Sequence, residues 1–166
     1  MNSRLEKAKQ YVKISNTISS SIGTKQEKTL HQTIKYYLTL DEAKHEISVD
    51  KKIVDVLIDD EIFEIQTQGF DKLRTKLDVL LPNHKLTVVY PVPYIKNIYL
   101  INEQGKIINN RKSPKKGSPL EIFKELYKIK SYLKNDNLNF KIIMFNSEPF
   151  LGDFLLLIIF PCSFIR

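Results

Sequence analysis

Tryptophan is absent from this 166-residue chain, cysteine occurs once and glycine only five times. A lone cysteine, Cys162, cannot build a disulfide framework, so the small bridged secreted scaffolds are excluded and a reducing, cytoplasmic compartment fits. The low glycine content excludes collagen-like and glycine-rich low-complexity chains. Long apolar runs are missing too. The longest fully apolar stretch, residues 154–161, falls well short of the roughly 20 residues that a membrane-spanning helix requires, so no stable membrane insertion is expected. Residues 1–10 are polar and lack the apolar core of a secretory signal.

The chain does hold 42% hydrophobic residues, which suits one globular domain with a core. Lys and Arg number 26 against 19 Asp and Glu, a net charge of +7. That balance favours an anionic partner, nucleic acid ahead of a membrane surface.

Periodicity predicts a polar helix over residues 3–14 and a linker over 16–23. A second helix is predicted from Thr24, where Thr24-Lys-Gln-Glu27 reads as a capping box. Three short strands follow at 45–49, 53–58 and 62–67, joined by turns at Asp50-Lys51-Lys52 and Asp59-Asp60-Glu61; turns this short imply an antiparallel meander. Residues 71–81 read as a helix, 84–90 as a strand ended by Pro91 and Pro93, and 98–101 with 106–108 as a hairpin. A basic loop over 111–117, a helix opened by Ser118-Pro119-Leu120-Glu121 and a strand over 140–145 complete the series. The fold class is therefore α/β with a mixed sheet: an αβββαβ core with an added hairpin, helix and strand. The expected organisation is a helix and linker at 1–23, the main domain at 24–146 and an apolar tail at 147–166. That tail is either a buried helix or a truncated end.

Ile53, Asp55 and Leu57 fall on one face of a strand, and Ile62, Glu64 and Gln66 on one face of the next. A tight turn sets these strands side by side, so Asp55 and Glu64 converge. Two carboxylates at such a distance repel unless a cation lies between them. Hard oxygen donors suit Mg²⁺ or Mn²⁺.

Asp55, Glu64-Ile65-Gln66 and Glu27 on the preceding helix, set in an αβββαβ series over roughly residues 24–91, resemble the PD-(D/E)xK nuclease superfamily. The resemblance implies a restriction endonuclease-like fold and a metal held by Asp55, Glu64 and the Ile65 carbonyl. Glu27 would bind through water or hold a second ion, and Gln66 would orient water or phosphate. Two positions depart from the pattern: Val54 stands where a proline is usual, and Gln66 replaces the lysine. The implied activity is metal-dependent hydrolysis of phosphodiester bonds in DNA. The alternative is a catalytically inactive DNA-binding or regulatory module of the same fold, and the third reading is a membrane-peripheral protein held by its tail. A homodimer is the assembly with which many nucleases of this fold cut both strands.

Each residue also has a plainer reading. Glu27 is explained equally by its cap. His31, one turn later, either contacts phosphate or is a partly buried polar neighbour. Lys72, Arg74 and Lys76 either meet nucleic acid or form a solvated helix face. Arg111, Lys112, Lys115 and Lys116 either follow a phosphate backbone or lie in a merely soluble loop.

Overall fold

In a computed structural model, residues 2–15, 22–104, 106–147 and 154–161 are described. Their order is α1 (Asn2–Ser15), α2 (Ile22–Leu38), β1 (His45–Val49), β2 (Lys52–Ile58), β3 (Glu61–Ile65), α3 (Arg74–Leu80), β4 (Lys85–Ile101), β5 (Ile107–Lys116), α4 (Ile122–Leu126), β6 (Leu138–Ser147) and β7 (Phe154–Pro161). The expected αβββαβ series is present as α2-β1-β2-β3-α3-β4. Helix α2 begins at Ile22, which corrects the predicted cap: Thr24 lies inside the helix. The linker expected over 16–23 falls mostly outside the described residues.

The meander is held by two two-residue turns. Val49 pairs with Lys52 across Asp50-Lys51, and Ile58 with Glu61 across Asp59-Asp60. All four turn residues have positive φ, from 47° to 64°. Turns with two left-handed residues match the twist of the flanking strands, and Asp tolerates that conformation better than most side chains.

One mixed sheet carries all seven strands, in the order β1-β2-β3-β4-β6-β7, with β5 also on β4. β3, β4 and β6 run parallel, while β1, β2, β5 and β7 each run antiparallel to a neighbour. The apolar tail is a strand rather than a buried helix over residues 154–161, paired along β6.

β4 does not stop at its prolines. β3 pairs with it only as far as Ile65–Val89, and Gln66 N–H then donates to the Val89 carbonyl at 2.9 Å. Pro91 and Pro93 share the parity of Val89, so their missing N–H groups fall on the edge that β3 has already left. Further along that edge β5 takes over, from Ile95 opposite Lys116 to Ile101 opposite Ile107. The predicted basic loop is therefore a strand. It ends at a close approach: a Cβ on Gly117, the next residue, would lie 2.2 Å from the Pro93 carbonyl oxygen, and the Gly117 N–H donates to the Tyr94 carbonyl.

Helices cover both faces. On one, Ile34 and Leu38 of α2 pack on Val56, Phe63, Ile65, Val89 and Ile143. On the other, Phe70, Leu77, Ile122 and Leu126 pack on Val54, Ile62, Leu86, Val88 and Phe140. Among the described residues no helix is long and apolar enough to cross a membrane.

Candidate active site

The β2–β3 pairing ends at Val56 opposite Phe63, and Asp55 lies one residue beyond it. There a side chain continues the ladder: the Ile65 N–H donates to Asp55 Oδ2 at 2.8 Å. The Ile65 carbonyl lies on the same strand edge as its N–H, so it also faces the Asp55 side. Glu64 is only 3% exposed.

Each acid has a lysine. Lys76, half-buried on α3, places Nζ 2.8 Å from both Glu64 carboxylate oxygens. Lys35, buried on α2, reaches Asp55 Oδ1 at 3.2 Å and Glu46 Oε1 at 3.0 Å. Glu46 holds a φ of 52° inside β1, a left-handed conformation that costs a non-glycine residue energy and that often accompanies functional sites. The acids are thus neutralised by protein cations, which corrects the expectation that only a metal ion could reconcile them.

Burial raises the Glu64 pKa, and the neighbouring Asp55 charge raises it further; the Lys76 hydrogen bond and charge, with the Asp55 backbone, offset only part of this. For Lys35 burial opposes the charge, but Asp55 and Glu46 outweigh it and the pKa ends raised. His31 is lowered, first by burial and also by Lys35, against the opposing charges of Asp55 and Glu27. Its imidazole is therefore neutral at pH 7.

Among the described residues there is no group of three or more His, Cys, Asp or Glu able to hold a metal ion. Mg²⁺ does not need one, since it commonly takes one or two carboxylates and keeps several waters. Asp55, Glu64 and the Ile65 carbonyl are hard oxygen donors at the junction of β2 and β3, and in kind they fit. Both Glu64 oxygens are engaged by Lys76, so a metal there would share Glu64 with that lysine.

The sequence profile of DUF8091, a domain of unknown function, matches residues 28–150. The chain belongs to the DUF8091 family. A Treponema pallidum (strain Nichols) protein, named only as an uncharacterized protein, is 36% identical over 129 residues. That match covers 77% of this chain and 51% of the relative, so the chain spans about half the length of the curated relative. No solved structure matches. The DUF8091 span contains every candidate residue except Glu27, which lies just before it.

The other candidates scatter. Glu27 is exposed and accepts a hydrogen bond from Thr67 Oγ1 at 2.9 Å, which ties α2 to the end of β3. The Gln66 amide nitrogen is tied to the Gln68 carbonyl at 2.6 Å, leaving its oxygen as the group that could orient a ligand. Arg74 donates to the Lys128 carbonyl, so it braces α3 against the segment after α4. Lys72 is exposed. Lys76 belongs to Glu64 rather than to a solvated face. Arg111, Lys112, Lys115 and Lys116 lie on β5, away from the acids.

Lys35 was the residue the sequence reading missed. Its signal was spacing: Glu27, His31 and Lys35 recur every four residues and so share a helix face. Lys35→Met keeps the stem but leaves Asp55 with the Ile65 N–H alone. It is expected to lower stability by about 3 kcal/mol in urea titrations, the low end for breaking a buried pair, because Asp55 keeps some solvent contact. A raised lysine pKa gives stability that is present below the unfolded pKa and is lost only as pH rises through the folded one. The deficit should therefore be the same at pH 6 and pH 8, and shrink only in strong alkali.

Proposed function

We propose that this chain is a metal-dependent nuclease domain of the PD-(D/E)xK type that hydrolyses phosphodiester bonds in DNA. The observation that carries the reading is the junction of β2 and β3, where the ladder opens and two neighbouring acids are held at fixed positions by backbone N–H groups and lysines. The αβββαβ order around that junction supports it. Asp55, Glu64 and the Ile65 carbonyl would hold Mg²⁺ or Mn²⁺. When bound, the ion would supply an activated water and charge neutralisation at the scissile phosphate. Lys76 brings to Glu64 the positive charge that the motif lacks at Gln66. Neutral His31 is able to accept a proton beside Asp55. The proposed setting is cytoplasmic, with a homodimer as the assembly able to cut both strands.

A second reading, an inactive DNA-binding module, is favoured by the tied amide of Gln66 and by the existing neutralisation of both acids. Plasmid DNA incubated with the purified protein separates the two. Nicking that requires Mg²⁺ or Mn²⁺, stops with EDTA and is lost in Asp55→Ala is the expected result. DNA binding without cleavage under either metal would establish the second reading instead.

A further inference from the structure

β4 and β5 extend beyond the rest of the sheet. β6 accompanies β4 only to Lys96, opposite Ser147. Past that point, among the described residues, Asn97–Ile101 of β4 pairs with β5 alone. At about 3.3 Å per residue these five residues form a two-stranded ribbon on the order of 17 Å long. A ribbon of two strands is marginal in water unless something covers it. β5 is exposed along nearly its whole length, and Ile98, Leu100, Ile107 and Ile108 are 41–58% exposed.

The ribbon also carries most of the chain's net charge. Residues 95–116 hold six Lys and Arg against one acid, Glu103, which is +5 of the chain's +7. Lys96, Arg111, Lys112 and Lys115 have no acidic partner among the described residues. Toward the tip Asn109 and Asn110 stand opposite Leu100 and Tyr99; toward the base Arg111 and Lys112 stand opposite Ile98 and Asn97. Amides and apolar groups therefore occupy the outer half and, apart from Lys106 in the tip turn, cations the root.

We infer that the β4–β5 ribbon is an arm that grips duplex DNA, with its outer half in the major groove and its root along the flanking phosphates. The major groove, about 12 Å wide, admits a two-stranded ribbon. Asn side chains match adenine edges there, and thymine methyls accept apolar contacts. Lysines and arginines at the root supply sequence-independent affinity. The arm starts on the edge of β4 that β3 vacates, six residues beyond Val89, which faces Ile65. That offset is about 20 Å, or roughly six base pairs from the acids at 3.4 Å per pair. The inference names what the proposed nuclease holds and rests on that reading for the choice of DNA.

The test is Arg111→Gln/Lys112→Gln/Lys115→Gln/Lys116→Gln in the full chain, binding a 20-base-pair DNA duplex in EDTA across a salt series. All four positions are exposed, and Lys116 gives up only its contact over the Tyr94 ring, so thermal unfolding should change little. Affinity should fall at least about 10-fold, and the log–log salt slope should drop by about 0.9 for each lost phosphate contact. Asn109→Ala/Asn110→Ala should weaken binding while leaving that slope unchanged. Unaltered affinity and slope in the quadruple variant would overturn the arm. So would equal binding of duplex RNA, whose deep major groove a ribbon cannot read, or binding to vesicles with 30% phosphatidylserine in place of DNA. Mg²⁺-dependent hydrolysis of bis(p-nitrophenyl) phosphate, which needs no arm, is measured in parallel. Its absence with the DNA result intact would sink the nuclease and spare the arm.

Discussion

Glu64→Gln is expected to lose metal-dependent cleavage while becoming more stable at neutral pH. The two effects have one cause. Glu64 is nearly inaccessible, its pKa is raised by burial and then by Asp55, and Lys76 compensates only in part. The sign follows from linkage. A carboxyl with a raised folded pKa contributes stability that is fully present below its unfolded value, about 4.3, and lost as pH rises through the folded value. As pH rises from the unfolded value through the raised folded one, the wild-type residue loses that contribution. A permanently neutral glutamine of the same shape keeps it, and Lys76 is open enough to reach water once its partner is gone. The variant should therefore melt above wild type at pH 7, with the gap closing toward pH 4. Cleavage should fall about 10²- to 10³-fold, since metal-centred charge stabilisation is worth several kcal/mol and each 1.36 kcal/mol is tenfold in rate. Lower stability at pH 7 would mean that the ion pair is a net structural contributor, and undiminished cleavage would remove Glu64 from the site.

This opposition between stability and chemistry distinguishes the two acid–lysine pairs. Asp55 keeps some exposure, accepts a backbone N–H and is paired with a lysine whose pKa is raised, so that pair stabilises the fold. Glu64 sits deeper, and burial and the Asp55 charge work against its ionised form. Natural proteins accept such costs mainly where activity needs the group.

The nearness of Asp55 and Glu64 was legible in the sequence because the two-residue turn at Asp59-Asp60 fixes the register of β2 and β3. The face of Asp55 was not, because alternation breaks there: Val54 and Val56 pack on opposite faces of the sheet. The Ser118–Glu121 capping box was equally local, and its reciprocal hydrogen bonds are present. Thr24 failed the same test because the helix starts two residues earlier, so a correct motif stood at the wrong place. The partners of the acids were not legible, because the rotation of α2 and α3 against the sheet decides which lysine arrives. β4 was cut short at Pro91 because a proline ends a strand only where an N–H is needed, and whether it is needed depends on how far β3 runs. The hairpin at 98–101 and 106–108 was legible, but its continuation over 111–116 was read as a loop because Pro114 and four cations hide its alternation, and the tail gave no period because a strand of unbroken apolar residues has none.

Lys76→Met should shift the pH profile of cleavage as well as its height. Lys76 lowers the Glu64 pKa by both hydrogen bonding and charge. Without it, burial and Asp55 act unopposed except by the backbone, and Glu64 stays protonated to higher pH. In the proposed nuclease the carboxylate is the metal-binding form, so the acid limb of the rate profile should move upward, and adding alkali should recover part of the loss. If Lys76 also faces charge growing on the phosphate, a second loss persists on the alkaline plateau, about 10²- to 10³-fold for one removed donor. Lys76→Arg keeps the charge and should restore the acid limb, although a planar guanidinium fits a position made for an ammonium less well. A lysine that merely braced α3 against the sheet would behave differently: Lys76→Met would lower the unfolding midpoint and leave the acid limb in place. The pH profile, measured with saturating Mg²⁺ so that metal affinity does not limit the rate, decides between them.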